Sequence, residues 1–209
     1  MLIVEKFGGT SVADAQRISR AAQKLVASAQ KGNQVIGVVS AQGDLTDRLL
    51  EKIESITFSP SGRESDACVS AGEQISAALM AMAVQRLGRE AVSLTGWQAG
   101  LLTDGKYGDA GILGLISDRI SQESDAGKIV ILAGFQGVDE QGNITTLGRG
   151  GSDTTAVTLA GLLGADVCRI YTDVDGVYTT DPRIVPNAHK LPEITYDEML
   201  ELASQGAQV

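Results

Sequence analysis

The chain is 209 residues long, with a formal charge of −9, 25 glycines, two cysteines and one histidine. The negative balance, with no run of Lys or Arg, argues against a nucleic-acid binder with a basic face. Two distant cysteines give no disulfide framework, and a single histidine in a polar stretch argues against a histidine-rich zinc site or a Ser-His-Asp triad within the chain.

Short β-rich runs alternate with longer helical stretches. Leu2–Phe7 predicts a strand, residues 8–11 a turn and residues 14–30 a helix. Leu2 to Val4 is too short an apolar run for a signal peptide, and no segment reads as a membrane span, so a soluble cytoplasmic protein is expected. Residues 34–40 form a second buried strand. Helices are expected at 44–56 and 66–87, the latter with apolar positions at Val69, Ile75, Leu79, Met82 and Val84. A short strand follows at Ala91–Leu94. Residues 109–122 read as a helix, 128–133 as a buried strand ending at Gly134, and 143–146 as a short strand. Residues 152–163 predict a helix of small residues closed by Gly164, 167–172 a strand, and Tyr196–Ser204 the start of a last helix. His189 lies in a polar stretch and is expected at the surface. This alternation predicts one α/β domain with a mostly parallel sheet and helices on both faces. The ending at 206–209, directly after a helix, predicts a truncated chain or a catalytic half cut from something longer.

In such a sheet, ligands bind beyond the carboxyl ends of the strands. Four glycine-rich or polar clusters sit at those ends: Gly8-Gly9-Thr10, residues 40–44, residues 134–137 and residues 172–176. The segment Gly148-Arg149-Gly150-Gly151-Ser152-Asp153 is the most informative. Glycines ahead of a helix leave backbone N–H groups free to face an anion, aided by the helix dipole. Ser152 or Asp153 would also serve as an N-cap. A Walker A loop is excluded because no lysine follows these glycines, and a dinucleotide fingerprint because Asp153 stands where the third glycine falls. Lys6, beside a glycine pair, is placed to neutralise phosphate oxygens. Glu73 follows Gly72 in a helix, and its spacing alone reads as a solvated face.

Three segments together resemble aspartokinase: Lys6-Phe7-Gly8-Gly9-Thr10-Ser11-Val12, residues 146–156, and Tyr171 through Arg183. Residues 70–74 and 198–203 extend the likeness over nearly the whole chain. The resemblance implies the amino-acid kinase fold, a three-layer αβα sandwich around a mostly parallel sheet. It also implies Mg²⁺-dependent transfer of the ATP γ-phosphoryl group to the β-carboxylate of L-aspartate, opening lysine, threonine and methionine synthesis. On this footing Lys6 stabilises the transferring group, and Gly8, Gly9 and Thr10 line the phosphates. Asp153 organises the cations, with Mg²⁺ carried in by ATP and no direct metal ligand assigned by motif. Glu73 meets the substrate ammonium and Arg149 its α-carboxylate, with Ser40, Thr46, Gly150, Gly151 and Ser152 lining the site. Thr172, Asp173, Tyr178, Asp181 and Arg183 hold the nucleotide.

The sequence departs from the aspartokinase pattern at three places. The usual Ser-Ala-Met-Gly-Asp-Thr-Thr-Asp is Ser40-Ala41-Gln42-Gly43-Asp44-Leu45-Thr46-Asp47. Asp-Met-Leu becomes Asp66-Ala67-Cys68, and a nucleotide-contacting lysine becomes Gln208. The regulatory ACT-type domains of most aspartokinases are not in the 209 residues, so a homo-oligomer or association with ACT-type regulatory chains is expected. Two alternatives stay open: a catalytically weak regulatory or assembly subunit, and an amino-acid kinase acting on another substrate.

Overall fold

The first strand sets the geometry of the central sheet. In β1 (Leu2–Phe7) consecutive side chains point to opposite sides of a sheet, and both sides are buried. Glu5 and Phe7 face one helical layer, while Val4 and Lys6 face the other. The computed structural model describes residues 1–174, 176–181 and 184–204. A 3₁₀ turn (Gly9–Val12) leads into α1 (Ala15–Gln30), whose N-cap Asp14 accepts a hydrogen bond from the Arg17 amide at 2.8 Å. There follow β2 (Gln34–Val39), α2 (Leu45–Ile56), α3 (Gly62–Val69) and α4 (Ala71–Arg86). Next come β3 (Ala91–Leu94), α5 (Gly96–Ala99), β4 (Leu101–Thr103), β5 (Ile112–Leu115) and α6 (Arg119–Asp125). The remaining elements are β6 (Ile129–Ala133), β7 (Gln136–Val138), β8 (Ile144–Thr146), α7 (Gly151–Leu162), β9 (Val167–Tyr171) and α8 (Tyr196–Ser204).

Five strands form one parallel sheet in the order β3-β6-β2-β1-β9. One face packs against α1 and α4 through Phe7, Val35, Val39, Ile129 and Ile131. The other packs against α5, α6 and α7 through Val4, Ile36, Val38, Val130 and Leu132. This is the expected three-layer αβα arrangement with a mostly parallel sheet. The chain divides into two units, Met1–Thr172 and Asp173–Val209. The second contains a bridge between Tyr178 and Lys190 and the helix α8, and His189 is exposed there.

Three sequence expectations are corrected. Residues 109–122 are not one helix: they hold β5 and the start of α6, and β4, β5, β7 and β8 make a second, mixed sheet in the order β5-β4-β7-β8. Ile112, Leu115, Ile116 and Ile120 fall at helical spacing, but Gly111 and Gly114 weaken a helix and the partner strand β4 wins. The helix expected over 66–87 starts earlier and is interrupted at Ser70. There Gln136 Nε2 donates to the Ser70 carbonyl at 2.8 Å, occupying an acceptor of the helical ladder. Finally, residues 62–86 are long and apolar enough, by length and composition, to cross a membrane, with half of the apolar window buried in the fold. Packing of α4 against α1, β3 and β6 makes this the apolar wall of a core.

Candidate active site

The carboxyl ends of β1, β2, β6 and β9 lie side by side. The Ser40 amide donates to the Phe7 carbonyl at 3.1 Å, Gly134 to Val39 at 3.0 Å, and Gly8 to Tyr171 at 3.4 Å. Three of the four clusters therefore converge within the first unit, with Thr172 at the end of β9. A cleft of about 340 Å³ opens on this rim. Its walls include Gly9, Ser40, Thr46, Glu73, Arg149, Gly150, Gly151, Ser152 and Asp153.

Lys6 shares the face of β1 that carries Val4, so its side chain runs beneath α7. Its Nζ lies 2.8 Å from both carboxylate oxygens of Asp153 in the first turn of that helix. The lysine is nearly buried and the aspartate partly open to the cleft. The cation is thus held behind the cleft wall in a charge-assisted pair with Asp153, which lines it, and α7's dipole favours the carboxylate. Gly9 interlocks with the next loop: a Cβ there would stand 2.9 Å from the Ala41 carbonyl oxygen, and Gly43 N–H donates to the Gly9 carbonyl at 3.1 Å.

The N-cap of α7 is Gly150, at φ +73, in place of the Ser152 or Asp153 expected from sequence. The left-handed turn that glycine permits places both residues inside the helix. Asp153 is thereby released to pair with Lys6. The amides of Asp153 and Thr154 donate to the Gly150 carbonyl at 2.9 and 3.0 Å, whereas those of Gly150 and Ser152 have no partner among the described residues. Two N–H groups therefore remain for an anion. Arg149 is exposed at the cleft wall and makes no ion pair among the described residues.

Glu73 corrects the reading of a solvated helix face. It is 3 % exposed, in the first turn of α4. Its Oε1 accepts the Ala41 amide at 2.9 Å, while Oε2 is buried with no partner. Burial pushes its pKa up from 4.5 to about 7, against the lowering effect of the Ala41 N–H. An unpartnered buried carboxylate oxygen at a cleft wall is matched to a cationic ligand group.

Thr10 is exposed, and its carbonyl accepts from Arg17 Nη1 at 2.6 Å; Thr10, Gly8 and Lys6 are not among the cleft-lining residues. Asp173, Tyr178 and Asp181 belong to the second unit. Arg183 and Gln208 lie outside the described residues. Sequence reasoning missed Phe135, which lines the cleft at φ +68, a conformation costly for a bulky side chain. Its neighbours Gly134 and Gly137 were the only hint. Gln42, which replaces a methionine of the aspartokinase pattern, ties its loop to the Val12 carbonyl at 2.9 Å.

Known proteins agree with this architecture. A sequence model of the "Amino acid kinase family" matches residues 1–209. The aspartokinase of Geobacillus stearothermophilus is 56% identical over 208 residues, which is 100% of this chain and 51% of that protein. The chain thus spans about half the length of this relative. The crystal structure of aspartate kinase from Synechocystis superposes with a TM-score of 0.86 at 49% identity, covering 99% of this chain and 34% of that one. The E. coli aspartokinase III structure in complex with aspartate and ADP (R-state) gives a TM-score of 0.85 at 30% identity, over 98% of this chain and 56% of that one.

Proposed function

The chain belongs to the amino acid kinase family, and from that premise we propose that it transfers the γ-phosphoryl group of ATP to the β-carboxylate of L-aspartate. The observation that carries this reading is one cleft walled by a buried carboxylate oxygen on Glu73 and a guanidinium on Arg149, both without a partner among the described residues. An α-amino acid has one ammonium and one α-carboxylate, and each finds its partner here. Arg149 takes the carboxylate with its planar fork, and Glu73 Oε2 accepts from the ammonium. Ser40 and Thr46 complete the wall.

In the proposed reaction a β-carboxylate oxygen of aspartate attacks the γ-phosphorus. The bond to the β–γ bridging oxygen breaks, ADP leaves with that electron pair, and a mixed acyl-phosphate anhydride forms. Negative charge spreads over the transferring group, and catalysis of this type rests on positioning and charge stabilisation. Lys6 and the Gly150 and Ser152 amides supply the positive field, and Gly8, Gly9 and Thr10 the phosphate loop. Mg²⁺ carried in with ATP would neutralise phosphate oxygens. Asp153, partly open to the cleft, fits a nucleotide-borne ion, which commonly takes one or two protein carboxylates and keeps several waters. The nucleotide roles of Thr172, Asp173, Tyr178 and Asp181 rest on the family likeness alone, as does association with a second copy or with ACT-type regulatory domains.

The test follows ADP release with L-aspartate and MgATP, trapping the acyl phosphate with hydroxylamine. Loss of a preorganised charge partner costs about 10²–10³ in kcat, so Lys6→Ala and Asp153→Ala should each fall at least that far. Wild-type turnover surviving in both variants would sink the mechanism.

A further inference from the structure

Asp66, in α3, is 3 % exposed and does not line the cleft. Its carboxylate gathers three donors from two other segments. Oδ2 accepts the amides of Thr146 at 2.8 Å and Gly108 at 2.9 Å, and Oδ1 accepts the Thr146 hydroxyl at 3.0 Å. A buried carboxylate that serves only backbone amides and a hydroxyl acts as a rigid staple, because the buried Thr146 amide and hydroxyl would otherwise be stranded without water.

What the staple joins matters for chemistry. On one side, α3 runs through Ser70 directly into α4, whose first turn carries Glu73; the Ser70 amide donates to the Asp66 carbonyl at 3.0 Å. On the other, Thr146 ends β8, three residues before Arg149. Gly108 belongs to the ledge under Gly148, where a Cβ would stand 3.2 Å from the Gly108 carbonyl oxygen and 2.9 Å from Asp109 Oδ1. Gly148 sits at φ +73 and lies immediately before Arg149. Asp66 thus holds both the end of β8 and the support of the Arg149 loop at a fixed distance from the helix pair that bears Glu73.

We propose that Asp66, which touches no substrate, is the positioning residue that sets the span between Glu73 and Arg149 and so matches it to the fixed separation of ammonium and α-carboxylate in an α-amino acid. The inference rests on the substrate reading above. Gln136 gives the same frame a second tie, from β7 to the Ser70 carbonyl, so the fold does not hang on Asp66 alone. Lys6 and Asp153 are held by β1 and α7, outside this staple, so their ion pair should be indifferent to it.

The experiment separates span from charge in the full-length protein, using L-aspartate and MgATP as probes. Asp66→Asn keeps the length: its carbonyl oxygen can accept both amides while its NH₂ donates to the Thr146 hydroxyl. Asp66→Glu keeps the charge but lengthens the staple by one methylene. Misplacement on the ångström scale costs up to about 10²-fold, so Asp66→Glu should raise the KM for aspartate about tenfold or more, with the KM for MgATP within about twofold. Asp66→Asn should keep the aspartate KM within about threefold of wild type. Equal changes in both KM values for Asp66→Glu overturn the proposal, because a merely structural role would move them together. A folded Asp66→Asn with the larger defect overturns it too, and stands as a test even where Asp66→Glu does not fold. Wild-type protein with no aspartate-dependent ADP release defeats the substrate reading itself, an outcome distinct from an active wild type indifferent to Asp66→Glu.

Discussion

Replacing Glu73 by glutamine removes an ionisation that burial makes costly. In the unfolded chain this carboxyl loses its proton near 4.5, whereas in the fold it does so near 7. Between those values the folded state holds more protons than the unfolded state, so stability falls as pH rises, and the full penalty is present above about 7. The gap corresponds to about 3 kcal/mol, or about 6–12 °C in thermal midpoint for a domain of this size. Glu73→Gln has no such proton to lose. Its melting temperature relative to wild type should therefore climb by about that amount between pH 4.5 and 8.5, whatever fixed offset the amide introduces. Differential scanning calorimetry of the two proteins at four or five pH values reads this directly. The same ionisation should make the KM for aspartate fall as pH rises through about 7, since only the charged carboxylate pairs with an ammonium, and the variant should lose that dependence. Parallel pH profiles for the two proteins would refute the assignment of the buried charge to Glu73.

Two further outcomes are expected. Arg149→Lys keeps the charge but not the planar fork, so the KM for aspartate should rise about tenfold with little change for MgATP; initial-rate kinetics in both substrates will contradict this if the ATP term moves more. Gly9→Ala should cost about 1–3 kcal/mol, because its Cβ would stand 2.9 Å from a backbone oxygen, while Gly150→Ala meets nothing within 4 Å and should cost only about 1 kcal/mol for its positive φ. Urea midpoints that place the Gly150 variant below the Gly9 variant would reverse this ranking.

Much of the architecture was legible in one dimension. Apolar runs such as 34–39 and 129–133, long enough to be buried on both faces, alternate with helical stretches, and that alternation alone dictates a parallel sheet with its polar rim at the strand ends. Lys6 beside Gly8-Gly9, and the glycines before Asp153, were readable as an anion site for the same local reason: backbone without side chains ahead of a helix. The aspartokinase likeness supplied the proposed substrate, which spacing could not.

Other features depend on partners distant in sequence. Periodicity in 109–122 favoured a helix, and only pairing with β4 turned its first half into β5. Ser70 looks like any helical serine until Gln136, 66 residues away, takes its carbonyl. Glu73 reads as solvent-facing because its helix is apolar nearly all round, so sequence cannot say which face the fold covers. Capping preference favoured Ser152 or Asp153, yet Asp153 lies inside the helix and pairs with Lys6, 147 residues away. The local pattern determined which segments fold and where ligands gather. Tertiary structure decided which side chains lose their water there, because the desolvation that raises Glu73 and makes Asp66 a staple exists only once separate segments have packed together.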